Sequence, residues 1–209
     1  MSPVVETRPL TPDRWRDLSA LFRRDRVTSD CWCMWFRETT AEFRTNQSVK
    51  NREAFRRIVK AGPPPGVLAY VDGRPAGWCA IAPREAYGRL RRSRTLAPVD
   101  DTPVWSITCF FIDGAYRGHG IGRALIEAAT ALAAEHGARI VEAYPVDTAG
   151  RRISDDDAYH GVAAQFASAG FAEVARRTPR RPIMRRATRQ QASKPASHRA
   201  RAVDRGGKR

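Results

Sequence analysis

A strand, a glycine-rich loop and a helix follow one another in the middle of the sequence, and this junction limits the fold more than any other stretch. The apolar run 104–112 predicts a buried strand, and apolar residues at helical spacing follow the loop as far as Gly137. The loop at 117–122 reads Arg-Gly-His-Gly-Ile-Gly. Glycines let a backbone approach a ligand closely, and the NH groups at a helix N-terminus attract anions. The junction therefore predicts a site for a phosphate-bearing ligand such as a pyrophosphate.

Two other phosphate-binding loops fit this sequence less well. A Walker loop requires Lys followed by Ser or Thr after its second glycine, whereas Arg123 and Ala124 follow Gly122 here. A dinucleotide-binding fold requires several alternating strands and helices, which the first half of the chain does not supply.

Hydrophobic patterning and turn residues predict the remaining elements. A hairpin turn is expected at Asp72-Gly73, and a long polar connector at 84–101. In the helix at 48–60, Val49, Phe55, Ile58 and Val59 are expected to face inward. The predicted strands are 4–8, 67–71, 76–82, 104–112, 139–144, 172–177 and 182–186; the predicted helices begin near Thr11, Ser48 and Gly120, and the last spans 157–169.

This order of elements, the loop with Tyr116 before it, and the pair Gly170-Phe171 after the last helix resemble the GNAT superfamily of acyl-CoA-dependent N-acetyltransferases. The central motif of that family is Q/R-x-x-G-x-G/A after the fourth strand. The resemblance implies an α/β (α+β) fold, with a mixed, mostly antiparallel sheet of about six to seven strands flanked by about four helices. Strands 4 and 5 are expected to splay apart to admit CoA, and the domain to span 1–186.

The resemblance also implies acetyl-CoA as the acyl donor, an amine as the acceptor, and no metal. Main-chain NH groups of the loop and the first helical turn would hold the CoA pyrophosphate, and main-chain groups of the fourth strand would pair with the pantetheine arm. His119 suits a cofactor contact or simple exposure. The implied cofactor-binding residues are Phe110, Ile112, Arg117, Gly118, His119, Gly120, Ile121, Gly122, Arg123 and Ala124.

The sequence departs from the family at the position of the general acid. Many relatives carry a Tyr four residues before the late glycine, and here that position is Phe166, which has no proton to donate. Tyr159 is a substitute acid, placed two turns earlier on the same predicted helix. The alternative is that Tyr159 packs its ring on the sheet.

The sequence also departs from the family at the position of the general base. Some relatives carry a Glu where Ser106 stands, and a serine is a poor base at neutral pH. Glu142 is the replacement we assign from the sequence, with Asp147 a second; for each, a solvated surface carboxylate is the alternative. His160 is a further candidate.

The apolar run 31–36, Cys-Trp-Cys-Met-Trp-Phe, stands where the first helices of the family border the acceptor pocket. Trp32, Trp35 and Phe36 either stack on an acceptor or belong to the core. Cys31 and Cys33 are one residue apart, whereas zinc-binding pairs usually leave two to four residues between them. Four cysteines are also too few for a disulfide scaffold, so a reducing compartment is expected.

The net charge of +15 is unevenly spread. The segment 187–209 has seven Lys and Arg against one Asp, a net +6, and no aromatic residue, so a disordered basic tail is expected there. One interpretation is that the tail is a solubilising extension without a specific partner, and the alternative is that it is an electrostatic tether to nucleic acid.

Several function classes are set aside or kept open by the sequence. No apolar run is long enough to cross a bilayer, and the N-terminus lacks a signal-like stretch, so a cytoplasmic protein without membrane partners is expected. An acetyl-CoA-dependent N-acetyltransferase leads, with a non-catalytic acyl-CoA sensor and a nucleic-acid-associated protein as alternatives. The oligomeric state, a homodimer included, is left open.

Overall fold

The computed structural model describes residues 4–46, 48–151 and 159–188, which form one mixed sheet with helices on both faces. Within these ranges, no helix has both the length and the apolar character needed to cross a bilayer. The strands are β1 Val5–Pro9, β2 Gly66–Val71, β3 Arg74–Pro83, β4 Trp105–Ile112, β5 Ile140–Ala143, β6 Ala172–Arg176 and β7 Pro182–Ala187. The α-helices are α1 Trp15–Phe22, α2 Arg26–Cys31, α3 Thr40–Asn46, α4 Val49–Ala61, α5 Gly88–Arg92, α6 Ile121–Glu135 and α7 Ala163–Ser168.

The sheet has the order β1-β2-β3-β4-β5-β7-β6, and only the β4–β5 pair is parallel among its described pairings. The predicted mostly antiparallel sheet is therefore confirmed. The described part of the chain has seven α-helices, more than the four or so expected. The surplus is α2, α3 and α5, which are short helices in stretches that the sequence predicted only as polar or aromatic connections.

Helices cover the two faces of the sheet with separate cores. On one face α6 packs through Leu125, Ile126 and Ala129, which are fully buried. On the other face α1 and α4 pack around Trp78. Each helix presents one apolar face, so burial against the sheet rather than intrinsic propensity stabilises it.

A β-bulge in β4 ends the pairing between β4 and β5. Ala80 of β3 pairs with Cys109 and Ile81 pairs with Ile107, so Thr108 is an extra residue on β4. The β4–β5 ladder stops at Ile107 with its partner Ala143. Because a bulge bends and twists its strand, β4 leaves β5 at this point, and the expected splay between the two strands is present.

Some predicted boundaries are wrong. The last helix was expected at 157–169, but Tyr159 and His160 form a turn, Gly161 has φ of +73°, and α7 begins only at Ala163. Residues 152–158 lie outside the described residues. Val49, expected to face inward, is 63% exposed because the buried face of α4 is formed by other residues.

The C-terminal strand is one residue longer than predicted. β7 ends at Ala187, and Thr188 beyond it donates through its backbone NH to the Arg139 carbonyl at 2.9 Å. The rest of the predicted tail, 189–209, lies outside the described residues, so its disorder stays a prediction.

Gly77 of β3 allows α6 to lie close to the sheet. A Cβ at this position would lie 2.9 Å from Ile121 Cγ2 and 3.1 Å from Leu125 Cδ1. We expect Gly77→Ala to destabilise the fold by about 1–2 kcal/mol more than Gly114→Ala, because overpacking a close contact displaces the helix. Gly114 is the matched control, since a Cβ there meets nothing within 4 Å. Urea unfolding of both variants measures the difference, and equal stabilities would contradict this packing argument.

Candidate active site

A cleft of about 510 Å³ opens at the N-terminus of α6, between the end of β4 and α7. We call it the glycine cleft. It brings together nine of the residues that the sequence assigned to cofactor binding or catalysis, while His119 and Ala124 are not among its described lining residues. The residues that line it are Asp25, Phe110, Phe111, Ile112, Tyr116, Arg117, Gly118, Gly120, Ile121, Gly122, Arg123, Tyr159, Gly161, Val162, Gln165 and Ser168.

The loop before α6 has a backbone that favours glycine. Gly118 has φ of +85° and Gly120 has φ of +74°, and a Cβ at either position would point into open space. The first NH groups of an α-helix have no intrahelical partners, so those of the first turn of α6 are available to an anion. Ala124 differs from them because its NH donates to the Gly120 carbonyl at 3.2 Å, within the helix ladder.

The charged residues of the loop differ in their surroundings. Arg117 and Arg123 are exposed and both line the cleft, so they add positive charge at the helix N-terminus. His119 is exposed, and its Nδ1 lies 3.1 Å from the Tyr116 carbonyl and 3.0 Å from the Arg117 carbonyl. Its ring therefore braces the loop itself.

The segment 159–162 enters the gap between β4 and β5. The Phe110 NH donates to the Tyr159 carbonyl at 2.6 Å, and the His160 Nδ1 lies 3.3 Å from the Thr108 carbonyl. Val162 forms a bridge with Val146 beyond the end of β5. This segment thus replaces β5 as the neighbour of β4 beyond the bulge.

Tyr159 stands at the inner end of the glycine cleft. Its ring stacks on Phe111 of the sheet at 6.3 Å between centroids and 13° between planes. Its hydroxyl donates to Asp25 Oδ1 at 2.9 Å. The same Asp25 oxygen accepts the Thr28 NH at 2.9 Å and so caps α2. Tyr159 thereby connects the late segment of the chain to the N-terminal helices, and its role as an acid stays a prediction.

A second pocket, of about 560 Å³, lies on the other side of Tyr159. We call it the aromatic pocket. It lies between α2, α3 and β4, and Tyr159 is the one described residue that lines both cavities. Its lining residues are Phe22, Val27, Thr28, Asp30, Cys31, Cys33, Trp35, Phe36, Phe43, Thr108, Cys109, Tyr159 and His160.

The aromatic run 31–36 divides between core and pocket. Trp32 is buried and stacks on Trp15 at 5.5 Å between centroids. Trp35, 41% exposed, and Phe36 line the aromatic pocket. Trp32 and Cys33 have φ of +45° and +57°, which is uncommon for residues other than glycine. This left-handed turn reverses the chain, so neighbouring rings point in different directions. The core position predicted as one alternative is correct for Trp32, and the pocket position predicted as the other is correct for Trp35 and Phe36.

Three cysteines line the aromatic pocket without a disulfide. Burial raises the pKa of the Cys31 thiol to about 12, so this group is neutral at physiological pH. Burial also disfavours ionisation of Cys33, but hydrogen bonds from Cys109 and the Trp78 indole outweigh it and lower the pKa. Among the residues that the structure describes, no group of three or more His, Cys, Asp or Glu is arranged to hold a metal ion.

Glu142 is buried in an ion-pair network and lines neither cavity among the described residues. Its Oε1 accepts Arg84 Nη1 at 3.0 Å and the Tyr144 hydroxyl at 2.5 Å, and its Oε2 accepts Arg185 Nε at 2.7 Å. The surface carboxylate offered as the alternative is therefore wrong for Glu142. Both oxygens are committed, which argues against the base role that the sequence gave it.

Ser106 belongs to the same network. Its hydroxyl lies 2.9 Å from the Tyr144 hydroxyl, which already donates to Glu142, so Ser106 is the donor. Burial, followed by the charge of Glu142, raises the pKa of Tyr144. The position of the usual base is therefore buried behind the cleft, and Asp147, the other carboxylate considered, pairs with Arg176 at 2.8 Å.

Phe166 is a core residue. It is fully buried and packs edge-on against Phe110 and Phe171 at 5.5 and 5.2 Å between centroids. A Cβ on Gly161 would lie 2.8 Å from the Phe166 ring. The ring thus supports the segment that enters the gap, and a hydroxyl is absent from this position.

Two residues of the site were missed from the sequence. Thr108 is the bulge, and the signal for it is the break in alternation along β4, where Trp105 and Ile107 face one core but Phe110 faces it next. Asp25 is the other, and its signal is its residue type, because Asp is one of the preferred residues at a helix N-cap.

Comparison with known proteins gives one family. The sequence matches the acetyltransferase (GNAT) family over residues 30–152. No curated protein sequence matches the chain at a significant level.

Solved structures resemble the fold over most of the chain. A GNAT-family acetyltransferase from Streptococcus pneumoniae is 17% identical with a TM-score of 0.52, covering 88% of this chain and 99% of its own. A GCN5-related N-acetyltransferase from Kribbella flavida is 18% identical with a TM-score of 0.51, covering 88% and 97%. At these identities the likeness establishes the fold.

The buried network generates a prediction about stability. Replacing Arg84 by Met leaves the buried carboxylate of Glu142 with one guanidinium partner, so we expect the free energy of unfolding to fall by about 3–5 kcal/mol. The control is Arg8→Met, which breaks a pair with Glu6 whose side chains are more than half exposed. That change should cost no more than about 0.5 kcal/mol in urea unfolding. Similar losses in both variants would refute the importance of burial here.

Proposed function

Because this chain belongs to the GNAT acetyltransferase family, we propose that it transfers an acetyl group from acetyl-CoA to a primary amine by direct attack in a ternary complex. The observation that carries the proposal is the meeting of two cavities at Tyr159. The glycine cleft has the groups that bind a pyrophosphate, and the aromatic pocket has room for an acceptor. Two reactants bound in cavities that meet at one residue lie close to each other, which favours a direct transfer between them.

The glycine cleft fits the phosphate-bearing end of acetyl-CoA. The first-turn NH groups of α6, the dipole of this 15-residue helix, and the guanidinium groups of Arg117 and Arg123 all attract anions. The left-handed glycines leave open space next to those NH groups. Phe110 and Ile112 line the cleft along β4, where the pantetheine arm would lie.

The reaction forms a bond from the amine nitrogen to the acetyl carbon and breaks the bond from that carbon to sulfur. The amine loses a proton and the thiolate gains one. His160 is the residue we assign as the base. A carbonyl oxygen only accepts hydrogen bonds, so His160 Nδ1 is the donor in the contact with Thr108, and Nε2 is the acceptor nitrogen of that neutral tautomer. His160 lines the aromatic pocket beside Tyr159.

The thioester carbonyl requires a donor to stabilise its developing negative charge. The Phe110 NH, which the family resemblance assigns to this region, is bonded to the Tyr159 carbonyl. This bond has to open before the Phe110 NH can serve a substrate. Segment 159–162 therefore shifts in the catalytic complex.

The Tyr159 hydroxyl is committed in the geometry observed, because it donates its proton to the Asp25 carboxylate. We therefore assign Tyr159 to positioning at the boundary of the cavities. The departing thiolate takes its proton from water or from the protonated base. Glu142 takes no part in the proposed chemistry.

A second candidate function is an acyl-CoA-binding sensor without catalysis. Phe166 in place of the usual Tyr and the occupied Phe110 NH favour it. Sustained release of CoA with any amine excludes the sensor. Nucleic-acid binding by the tail stays an untested alternative, and the oligomeric state stays open.

Substituting Gly120 by Val is expected to lower the affinity for acetyl-CoA by at least about 100-fold, or about 2.7 kcal/mol. The side chain strains a left-handed residue and enters the space beside the α6 NH groups. Gly73→Val is a matched control, since Gly73 has φ of +75° and equally open surroundings in the turn between β2 and β3, and it is not among the described residues that line the cleft. Calorimetry with acetyl-CoA on both folded variants decides the matter. Retained affinity in Gly120→Val would exclude the pyrophosphate site.

Substituting His160 by Asn is expected to lower kcat by about 10²–10⁴-fold with the affinity for acetyl-CoA unchanged, because the base is lost while a donor to Thr108 is kept. His136→Asn is the control, since its Nδ1 also contacts a backbone carbonyl, that of Leu132 at 2.9 Å. Steady-state formation of the acetylated amine measures both variants. An unchanged kcat in His160→Asn would remove His160 from the mechanism.

A further inference from the structure

Several aromatic rings form part of the wall of the aromatic pocket, and contacts with neighbouring side chains fix their orientations. The Arg89 guanidinium covers the Trp35 ring at 3.6 Å from its centroid, and Arg89 Nε donates to the Trp35 carbonyl. Phe43 meets the Trp35 ring edge-on at 5.1 Å between centroids. Phe36 is edge-on to His160 at 5.5 Å. Rigid aromatic surfaces of this kind bind an apolar ring at little cost in conformational entropy.

The described lining of the aromatic pocket differs in charge from the chain as a whole. The chain carries +15, yet Asp30 is among the described lining residues and no Lys or Arg is, and the Arg89 guanidinium is held against the Trp35 ring. Cys31 is neutral, and the hydrogen bond between Cys33 and Cys109 raises the pKa of Cys109, so this pair holds one negative charge at most. A pocket with these groups favours a ligand with a single positive charge and disfavours an anion.

The size of the pocket and its single carboxylate among the described lining residues limit the ligand further. Its volume of about 560 Å³ is that of a small-molecule site. A polyamine or an amino sugar would bring several ammonium or hydroxyl groups against Trp35, Phe36 and Phe43, whose rings offer them no hydrogen-bond acceptor. A ring with one amine places its apolar part on these rings and its one charge within reach of the polar groups.

We propose that the aromatic pocket binds a primary amine joined by a short chain to an aromatic or similarly apolar ring. The ring lies against Trp35 and Phe36, and the amine reaches the boundary at Tyr159 and His160. The inference rests on the proposed function, which makes this pocket the acceptor site, and it names the substrate class that the reaction uses.

Three probe ligands separate the contribution of the ring from that of the charge. 2-Phenylethylamine has both groups, ethanolamine keeps the ammonium without the ring, and 3-phenylpropionate keeps the ring but carries a carboxylate. Calorimetry on the full chain saturated with CoA measures the affinity of each. We expect 2-phenylethylamine to bind at least about tenfold more tightly than either of the others, since ring burial and charge complementarity each contribute. With acetyl-CoA, its N-acetylated product should form, identified by mass spectrometry.

Two variants test the walls separately. Trp35→Ala should reduce the ratio of the affinity for 2-phenylethylamine to the affinity for ethanolamine. Its control is Val174→Ala, which shortens an apolar side chain on β6 that is 42% exposed, close to the 41% of Trp35. Asp30→Asn should reduce the ratio of the affinity for 2-phenylethylamine to the affinity for 3-phenylpropionate. Its control is Asp101→Asn, a substitution at an exposed residue. Affinity for acetyl-CoA should be the same in all four.

The outcomes distinguish this inference from the proposed function. Tight, ring-dependent and charge-dependent binding that both wall variants weaken supports it. Equal affinity for the three probes, or acetylation of spermidine or glucosamine in preference to 2-phenylethylamine, overturns the inference. The proposed function still holds in that case if the chain binds acetyl-CoA and acetylates an amine. Failure of the wild-type chain to bind acetyl-CoA overturns the proposed function and, with it, the assignment of the pocket to an acceptor.

Discussion

The rest of the site depends on the loss of pairing between β4 and β5. The ladder has three residue pairs and stops at Ala143, the last residue of β5, and the extra residue Thr108 bends β4 away at the same point. Main-chain groups of β4 beyond that point face a gap. Part of the gap becomes the glycine cleft, and the segment 159–162 fills another part. The carbonyl of the bulged residue itself orients His160, so the distortion that opens the sheet also positions a candidate base.

The paired part of β4 and β5 has to remain together if the strands separate beyond it, and the ion-pair network of Glu142 stabilises that part. The carboxylate joins β5 to Arg185 on β7 and to Arg84, which begins the connector between β3 and β4. Arg84 also donates to the carbonyls of Leu90 and Leu96, and so holds that connector in place. Arg185 extends the network to the surface, where its hydrogen bond lowers the pKa of Asp100 to about 2. Desolvation makes these charges costly unless every one is partnered, which explains why each is bonded more than once.

Sequence patterns predicted the fold well where a single principle decides the structure. The strand, glycine loop and helix around Gly120 were correct because positive φ and helix N-terminal chemistry are local properties. The hairpin at Asp72-Gly73 was correct for the same reason, since both residues have positive φ, as a two-residue hairpin turn requires. Tyr159 was wrongly assigned to the last helix, because the spacing of apolar residues extended that helix across Gly161. In the structure, the Tyr159 carbonyl instead accepts a hydrogen bond from β4.

Long-range pairing was beyond the reach of the sequence. Nothing local shows that Glu142 meets guanidinium groups 58 and 43 residues away along the chain, or that Asp25 meets a tyrosine 134 residues later. The division of the rings at 31–36 had the same origin, because the left-handed backbone at Trp32 and Cys33 is imposed by the packing of Trp32 on Trp15 and Phe22.

The position of Tyr159 as a common wall of two cavities has a thermodynamic consequence. A ring that moves to make room for one ligand changes the shape of the cavity available to the other, and its bonds to Asp25 and Phe110 change with it. The two binding equilibria then share a coupling free energy. By reciprocity, whatever factor the first ligand applies to the affinity of the second, the second applies to the first. One residue therefore makes binding in the two cavities cooperative or antagonistic, without a distant allosteric site.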